Sequence, residues 1–498
     1  MTIRRALAAI VAAALLATGC SGDGGAAPTT TLESTTTTVE PTTVTQPPTT
    51  TTTVALPAPV PIAWHRCGGG LDCATVAVPI DYVHPETGTI DLALVRHPAS
   101  DQAHRIGSVL VNPGGPGASG VRRVARGFRV SPEVGQRFDV IGFDPRGVGQ
   151  SEPIACGATV DAFRHADLAP DDPAEVAALR DAAKAVADEC IRTEGPKLTH
   201  MGTLDVARDV EVIRRAIGEP TISFVGLSYG TEIGLVWADL YPHSVRALVL
   251  DGVVDPASRS GVSSESEVDG VQASVDRMAA ACDADPSCPL AATGGFDASY
   301  DELARRIEAK AVTGHGVGPT QLAYAAFYAT YDSGTWPRLW QAIADGLAGD
   351  LAGVDALATS FTRLVPYATF AVLSCMDSPH TIGFDAWEKT AHHYEDRSPR
   401  FAVTLANELL PCAFLPQSTY TPHAVTAEGS PPILAIGSTG DAATSYEDAQ
   451  RVVDGLANGV LLTVAINGHI AIGDSDCATE AATRYLVDLT VPDSGTTC

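Results

Sequence analysis

Thr221-Ile222-Ser223-Phe224-Val225-Gly226-Leu227-Ser228-Tyr229-Gly230 is the stretch on which the reading of this chain turns. The short apolar run 222–225 predicts a buried strand. Gly226, Ser228 and Gly230 follow it as G-x-S-x-G. Behind them, 231–241 carries Ile233, Val236, Trp237 and Leu240 at helical spacing. Strand, sharp turn and helix form the setting in which this motif lifts a serine hydroxyl to the apex of a turn. The glycines let strand and helix pack close beside the serine. The first helical turn aims backbone N–H groups at it, which favours negative charge there. Ser228 is therefore the candidate nucleophile.

A serine hydroxyl attacks only when a base takes its proton, and that base needs an oriented tautomer. With this elbow the chain order is serine, acid, histidine. Asp441 follows the apolar run 433–436 through Gly437-Ser438-Thr439-Gly440, and His469 follows 461–466 through Asn467-Gly468. Both fall where strands end, on the edge that carries Ser228. Asp251 and Asp255, after the strand 245–250, are rival acids that also reach toward the histidine. Thr444 reads as a helix N-cap, with Glu447 completing a capping box. His423 and the pair His392-His393 lie in the later insertion and are poor rivals to His469.

An oxyanion needs two N–H donors. One is that of Tyr229, the residue after the nucleophile. The other falls in Asn112-Pro113-Gly114-Gly115-Pro116-Gly117, directly after the strand 108–112. Pro116 has no N–H, which leaves Gly114 or Gly115, and Gly115 is the expected donor.

The rest of the chain supports an α/β core. The runs 74–80 and 90–95 predict a leading antiparallel pair. The strand 138–143 runs into Asp144-Pro145-Arg146-Gly147-Val148-Gly149. Helical patterns cover 173–192 and 203–217, the second closed by Gly218. Alternation of strands and helices means βαβ units and a mostly parallel sheet, with helices on both faces. The rhythm breaks after Asp255-Pro256. Residues 257–425 are largely helical in pattern, and strand–helix alternation returns from 432. The expected organisation is a core of 61–256 and 426–498, split by a helical cap of 257–425 over the strand ends.

With 498 residues, 45% hydrophobic and 18% charged, the chain has room for a large core. Its formal charge of −27, from 32 basic and 59 acidic residues, argues against nucleic acid and against electrostatic docking on anionic lipid. It favours neutral or cationic substrates, or simply solubility outside the cell. Arg4 and Arg5, the apolar run 6–16 and Ala17-Thr18-Gly19-Cys20 read as a secretory signal of residues 1–20, too short to span a membrane. The cysteine after small residues resembles a bacterial lipoprotein signal with Cys20 lipidated, although Ala17 stands where leucine is usual. Residues 21–60, rich in threonine and proline, form a tether. Of the 11 cysteines, ten remain beyond Cys20. The simplest pairing joins sequence neighbours: Cys67/Cys73, Cys156/Cys190, Cys282/Cys288, Cys375/Cys412 and Cys477/Cys498. No C-x-x-C occurs and histidines do not cluster with cysteines, so no metal is expected.

Taken together, Asn112 to Gly117 with Ser119-Gly120, Phe143-Asp144-Pro145-Arg146-Gly147-Val148-Gly149-Gln150-Ser151, the elbow, and Leu250-Asp251-Gly252-Val253-Val254-Asp255-Pro256 resemble the secreted α/β-hydrolase peptidases of actinobacteria. These are the tripeptidyl aminopeptidases, relatives of proline iminopeptidase. The resemblance runs from about Trp64 to the C-terminus. It implies the α/β-hydrolase fold with a helical cap and a cofactor-free serine exopeptidase acting on peptides with free N-termini. It also supports Asp441 and His469 as acid and base, and cysteines such as Cys156 and Cys477 fit that family's exported enzymes. An aminopeptidase must hold a cationic amine, so a buried carboxylate is expected in the cap. Asp377, next to Cys375, is the candidate, with Glu265 and Glu267 as others. A secreted esterase or lipase on the same triad is the alternative, and a catalytically silent envelope-binding lipoprotein is a third.

Overall fold

The computed structural model describes residues 54–259 and 264–498. The expected signal peptide, Cys20 and the tether up to residue 53 lie outside the described residues, and 54–64 has no regular secondary structure. Among the described residues, nine strands form one sheet: β1 (His65–Gly68), β2 (Leu71–Pro79), β3 (Thr89–His97), β4 (Gly107–Asn112), β5 (Phe138–Phe143), β6 (Ile222–Leu227), β7 (Val245–Asp251), β8 (Ile433–Ser438) and β9 (Gly459–Val464). Their order is β1-β2-β3-β5-β4-β6-β7-β8-β9. The pairs β1–β2, β2–β3 and β3–β5 are antiparallel, and every pair from β5 to β9 is parallel.

Burial follows from this arrangement. β4, β5 and β6 are buried at every position, as a parallel strand covered on both faces must be. The helices Thr203–Ile217 and Tyr229–Leu240 bury Val206, Val210, Ile213, Ile233 and Trp237 against one face. The helices Gly120–Ala125 and Asp476–Asp488 bury Val121, Val124, Ala482 and Leu486 against the other. β1 is a strand that the sequence pattern does not show. Its four residues are all exposed, so no alternation marks it; a hairpin and the Cys67–Cys73 disulfide hold it to β2.

The cysteines pair as sequence neighbours in all five cases. Cys477–Cys498 pins the C-terminal tail beside β9, where Cys498 N–H donates to Thr463 O at 2.8 Å and covers an edge strand.

Two features of the topology place the functional site. β4 and β6 are neighbours, and the chain leaves β4 toward β5 on one side and β6 toward β7 on the other, so a crevice opens between their ends. Asn112, the last residue of β4, lies in register with Gly226, so the loop after β4 and the elbow after β6 emerge side by side. Further along, Leu248 of β7 pairs with Ile433 of β8. The segment between them leaves β7 at the edge that carries the elbow and, because β7 and β8 run parallel, enters β8 from the opposite edge. Its described part is helical, from Glu265–Ala284 to Ala402–Asn407, with no strand.

Candidate active site

Ser228 stands between the end of β6 and the first helical residue, Tyr229. Its backbone has φ 54° and ψ −130°, a conformation that costs a side-chain-bearing residue about 1–3 kcal/mol and persists only where its surroundings fix it. They do so here. Ser228 N–H donates to Asp251 O at 2.8 Å, and Ser228 O accepts from Thr231 N–H at 2.8 Å and Thr231 Oγ1 at 2.7 Å. The glycines of the motif are needed by contact. A Cβ on Gly226 would lie 2.3 Å from Gly230 O, and one on Gly230 would lie 2.5 Å from Asn112 O.

Asp441 and His469 come from the loops after β8 and β9. His469 Nδ1 lies 2.9 Å from both carboxylate oxygens of Asp441. That contact assigns the ring proton to Nδ1 and leaves Nε2 as the acceptor. Both residues are buried. Burial pushes the imidazole pKa down, but the Asp441 carboxylate outweighs it and the net shift is upward. Asp441 is itself held, accepting from Ala443 N–H, Thr444 N–H and Thr444 Oγ1, each at 2.9 Å. This corrects the reading of Thr444 as a helix cap. The N-cap of Tyr446–Gly455 is Ser445, whose Oγ accepts Asp448 N–H at 3.1 Å. Thr444 instead faces the Asp441–His469 pair, its hydroxyl 3.3 Å from His469 Nδ1.

The rival acids are occupied elsewhere. The Asp251 carboxylate accepts Ala471 N–H at 3.1 Å and Ile472 N–H at 2.7 Å. Burial pushes it up to about 7. Asp255 caps its own turn through Ala257 N–H and pairs with Arg451 at 3.2 Å. His392 and His423 are exposed and pair with Glu395 and Asp239.

The loop after β4 lies on the elbow. A Cβ at Gly114 would sit 2.3 Å from Leu227 O and 2.9 Å from Ser228 Cβ. Gly114 N–H donates to Asn112 Oδ1 at 2.9 Å. Gly115, at φ 113°, and Tyr229 both line the same cavity as Ser228. The far end of the loop is anchored by Asp144, which accepts Ser119 Oγ at 2.5 Å and Val121 N–H at 3.1 Å.

That cavity has a volume of about 390 Å³, within the ~300–1,000 Å³ usual for small-ligand sites. Ser228 and His469 line its floor, and Phe327, Tyr331, Phe361 and Leu405 make apolar wall. Asp377 is not on that wall. It is fully buried, its Oδ1 accepts Thr203 N–H at 2.6 Å, and Oδ2 has no partner. Burial and the nearby Glu232 charge, opposed by Arg259, raise its carboxyl to about 7. Glu265 is also off the wall, exposed and paired with Arg397. The acids that do line the cavity from the insertion are Glu267 and Glu408. Burial raises Glu267, with Arg259 opposing. Burial raises Glu408 to about 7, with Arg164 opposing and Glu267 adding to the rise. Glu408 is absent from the sequence reading. Its signal is a lone acid inside the apolar stretch Ala402 to Leu415.

A strained serine at an elbow and a carboxylate-held histidine opening on one pocket define a serine hydrolase of the α/β-hydrolase fold. Comparison agrees: residues 107–294 match the alpha/beta hydrolase fold model, and residues 398–498 match the TAP-like protein model. The chain is 34% identical over 481 residues to serine protease Hip1 of Mycobacterium tuberculosis, covering 88% of this chain and 91% of that protein. It is 31% identical over 455 residues to tripeptidyl aminopeptidase of Streptomyces lividans (86% and 84% covered). A carboxylesterase B of Mycobacterium tuberculosis is 32% identical over 460 residues (86% of each). The chain belongs to this family of α/β-hydrolase serine hydrolases with a TAP-like C-terminal part. Its five disulfides fit an exported protein.

Proposed function

We propose that the protein is a serine exopeptidase that removes short peptides from free N-termini. One observation carries this reading: Glu267 and Glu408, two mutually repelling carboxyls, line the pocket that holds Ser228. Arg259 and Arg164 line the same pocket and each offsets one of these acids; burying like charges together favours a further cation between them, and a peptide α-ammonium is such a cation. The amine docks between them and the following side chains lie along the apolar wall. Ser228 Oγ attacks the scissile carbonyl while His469 Nε2 takes its proton, with Asp441 holding the imidazole. The N–H groups of Gly115 and Tyr229 receive the oxyanion. His469 then protonates the leaving amine, and water, activated in turn by His469, hydrolyses the acyl-enzyme. Attachment to the cell envelope through a lipid on Cys20 belongs to the same proposal.

The apolar wall and the carboxylesterase relative support the esterase reading as second choice. Hydrolysis of matched substrates separates them: free-amino tripeptide amides, their N-acetyl forms and short-chain esters, with Ser228→Ala as control. Cleavage restricted to free-amino peptides, lost in the variant, is the expected outcome. Ester cleavage without peptide cleavage would overturn the peptidase reading. If every substrate is inert and Ser228 also resists a phosphonate probe, the silent-lipoprotein reading replaces both.

A further inference from the structure

The insertion does more than roof the pocket; it is bonded to the loop that carries His469. Where the helix Pro319–Thr330 ends, Tyr331 O accepts His469 N–H at 3.1 Å, and two residues on Ser333 N–H donates to Asn467 O at 3.1 Å. With Asp332 and Gly468 opposed between them, the two segments form a miniature antiparallel bridge. The Tyr331 ring meets the His469 ring edge-to-face, with centroids 5.3 Å apart and planes at 86°. The turn presenting Tyr331 is itself fixed. Asp332 Oδ1 accepts Gly334 N–H at 2.8 Å, and the Trp336 indole N–H donates to Ala329 O at 3.1 Å. Gly468 lies close beneath, a Cβ there falling 3.4 Å from Tyr331 O.

Asp441 and Thr444 both meet His469 at Nδ1, and contacts at a single ring nitrogen leave the ring able to tilt about that point. We propose that Tyr331 is a positioning residue for His469, its ring and carbonyl holding the imidazole in the orientation in which Nε2 serves Ser228 as base. The proposal rests on the reading of His469 as general base. It gives the insertion a part in the chemistry of every substrate, including one too short to reach Glu267 and Glu408. A mere wall residue affects only substrates that touch it.

That difference is the test. Tyr331→Leu, Tyr331→Ala and Tyr331→Phe are assayed on a free-amino tripeptide p-nitroanilide and on p-nitrophenyl acetate. Turnover is normalised by titrating Ser228 with a fluorophosphonate, so unfolded material does not count. Loss of an aromatic contact of this kind corresponds to roughly a tenfold change. Tyr331→Leu is expected to lower kcat about tenfold on both substrates with KM within about twofold, and Tyr331→Phe, which keeps the ring, to restore kcat. Should Tyr331→Leu not fold, Tyr331→Ala takes its place. Raised KM for the peptide with unchanged ester turnover overturns the proposal, as does a phenylalanine variant no better than leucine. Failure of the underlying reading looks different: wild-type Ser228 would resist the probe, or Ser228→Ala would keep its activity, and the proposal would fall with it.

Discussion

The backbone carbonyl of Asp251 accepts the N–H of Ser228 at 2.8 Å, while its carboxylate accepts the N–H of Ile472, three residues beyond His469, at 2.7 Å. One residue at the end of β7 therefore ties the nucleophile's turn to the base's loop. Oδ1 faces the Ala471 N–H and Oδ2 the Ile472 N–H, and an amide in that place turns one donor against another. Asp251→Asn is expected to lower kcat by about 10- to 100-fold, some 1.4–2.8 kcal/mol, with KM little changed. Steady-state kinetics on one good substrate decide it. An unaltered kcat would show that the loop holds His469 without this tie.

Thr444 gives a second prediction of the same type. Its hydroxyl donates to the Asp441 oxygen that also faces His469. A hydrogen bond to a charged group contributes about 1.5–3 kcal/mol, part of it expressed in orientation. Thr444→Val keeps the shape, loses the donor and should lower kcat about tenfold at unchanged KM. Ser445→Ala is the contrasting variant. It removes the real helix cap, costs about 1 kcal/mol in thermal unfolding and should leave kcat alone.

The two cases show what the sequence carried and what it could not. Strand β5 and the helix Thr203–Ile217 lie where apolar periodicity places them, because a buried parallel strand and an amphipathic helix write their burial into the sequence. The elbow is similarly legible, since only glycine fits at Gly226 and Gly230. Thr444 and Asp377 are read differently in three dimensions because their roles are set by partners far away in the chain. Thr444 and Ser445 are adjacent, both able to cap a helix, and only the position of His469 separates them. Asp377 sits beside Cys375 as expected, yet the end of its helix turns it toward Thr203 and away from the pocket. Glu408 becomes visible only when several separate helices of the insertion close the pocket.

The pocket acids carry the substrate reading. Glu408→Gln and Glu267→Gln are expected to raise KM for free-amino peptides by 10-fold or more, on the scale of an ion pair shielded from water. KM for short esters should stay within about twofold. The Glu408 carboxyl, raised to about 7 when the pocket is empty, must ionise to hold the amine. Peptide kcat/KM in the wild type should therefore rise with pH through about 7, superposed on the His469 limb. Glu408→Gln should lose that contribution while ester hydrolysis keeps the histidine limb alone. Equal KM changes for peptides and esters would remove these residues from amine recognition.

Asp377 supplies a prediction about stability. Its folded carboxyl titrates near 7 against 3.8 for the free side chain, so the folded protein holds a proton that the unfolded chain has released. The group therefore favours folding fully below about pH 4, and that contribution is lost as pH rises toward 7. Asp377→Asn keeps an oxygen for Thr203 N–H and puts an uncharged amide where Oδ2 stands without a partner. It should raise the melting temperature at pH 8, flatten its decline between about pH 4 and 7, and leave KM for free-amino peptides unchanged. Thermal melts across that range check the first two points. A variant that melts like the wild type at every pH and binds peptides weakly would return Asp377 to the substrate site and displace Glu408 from it.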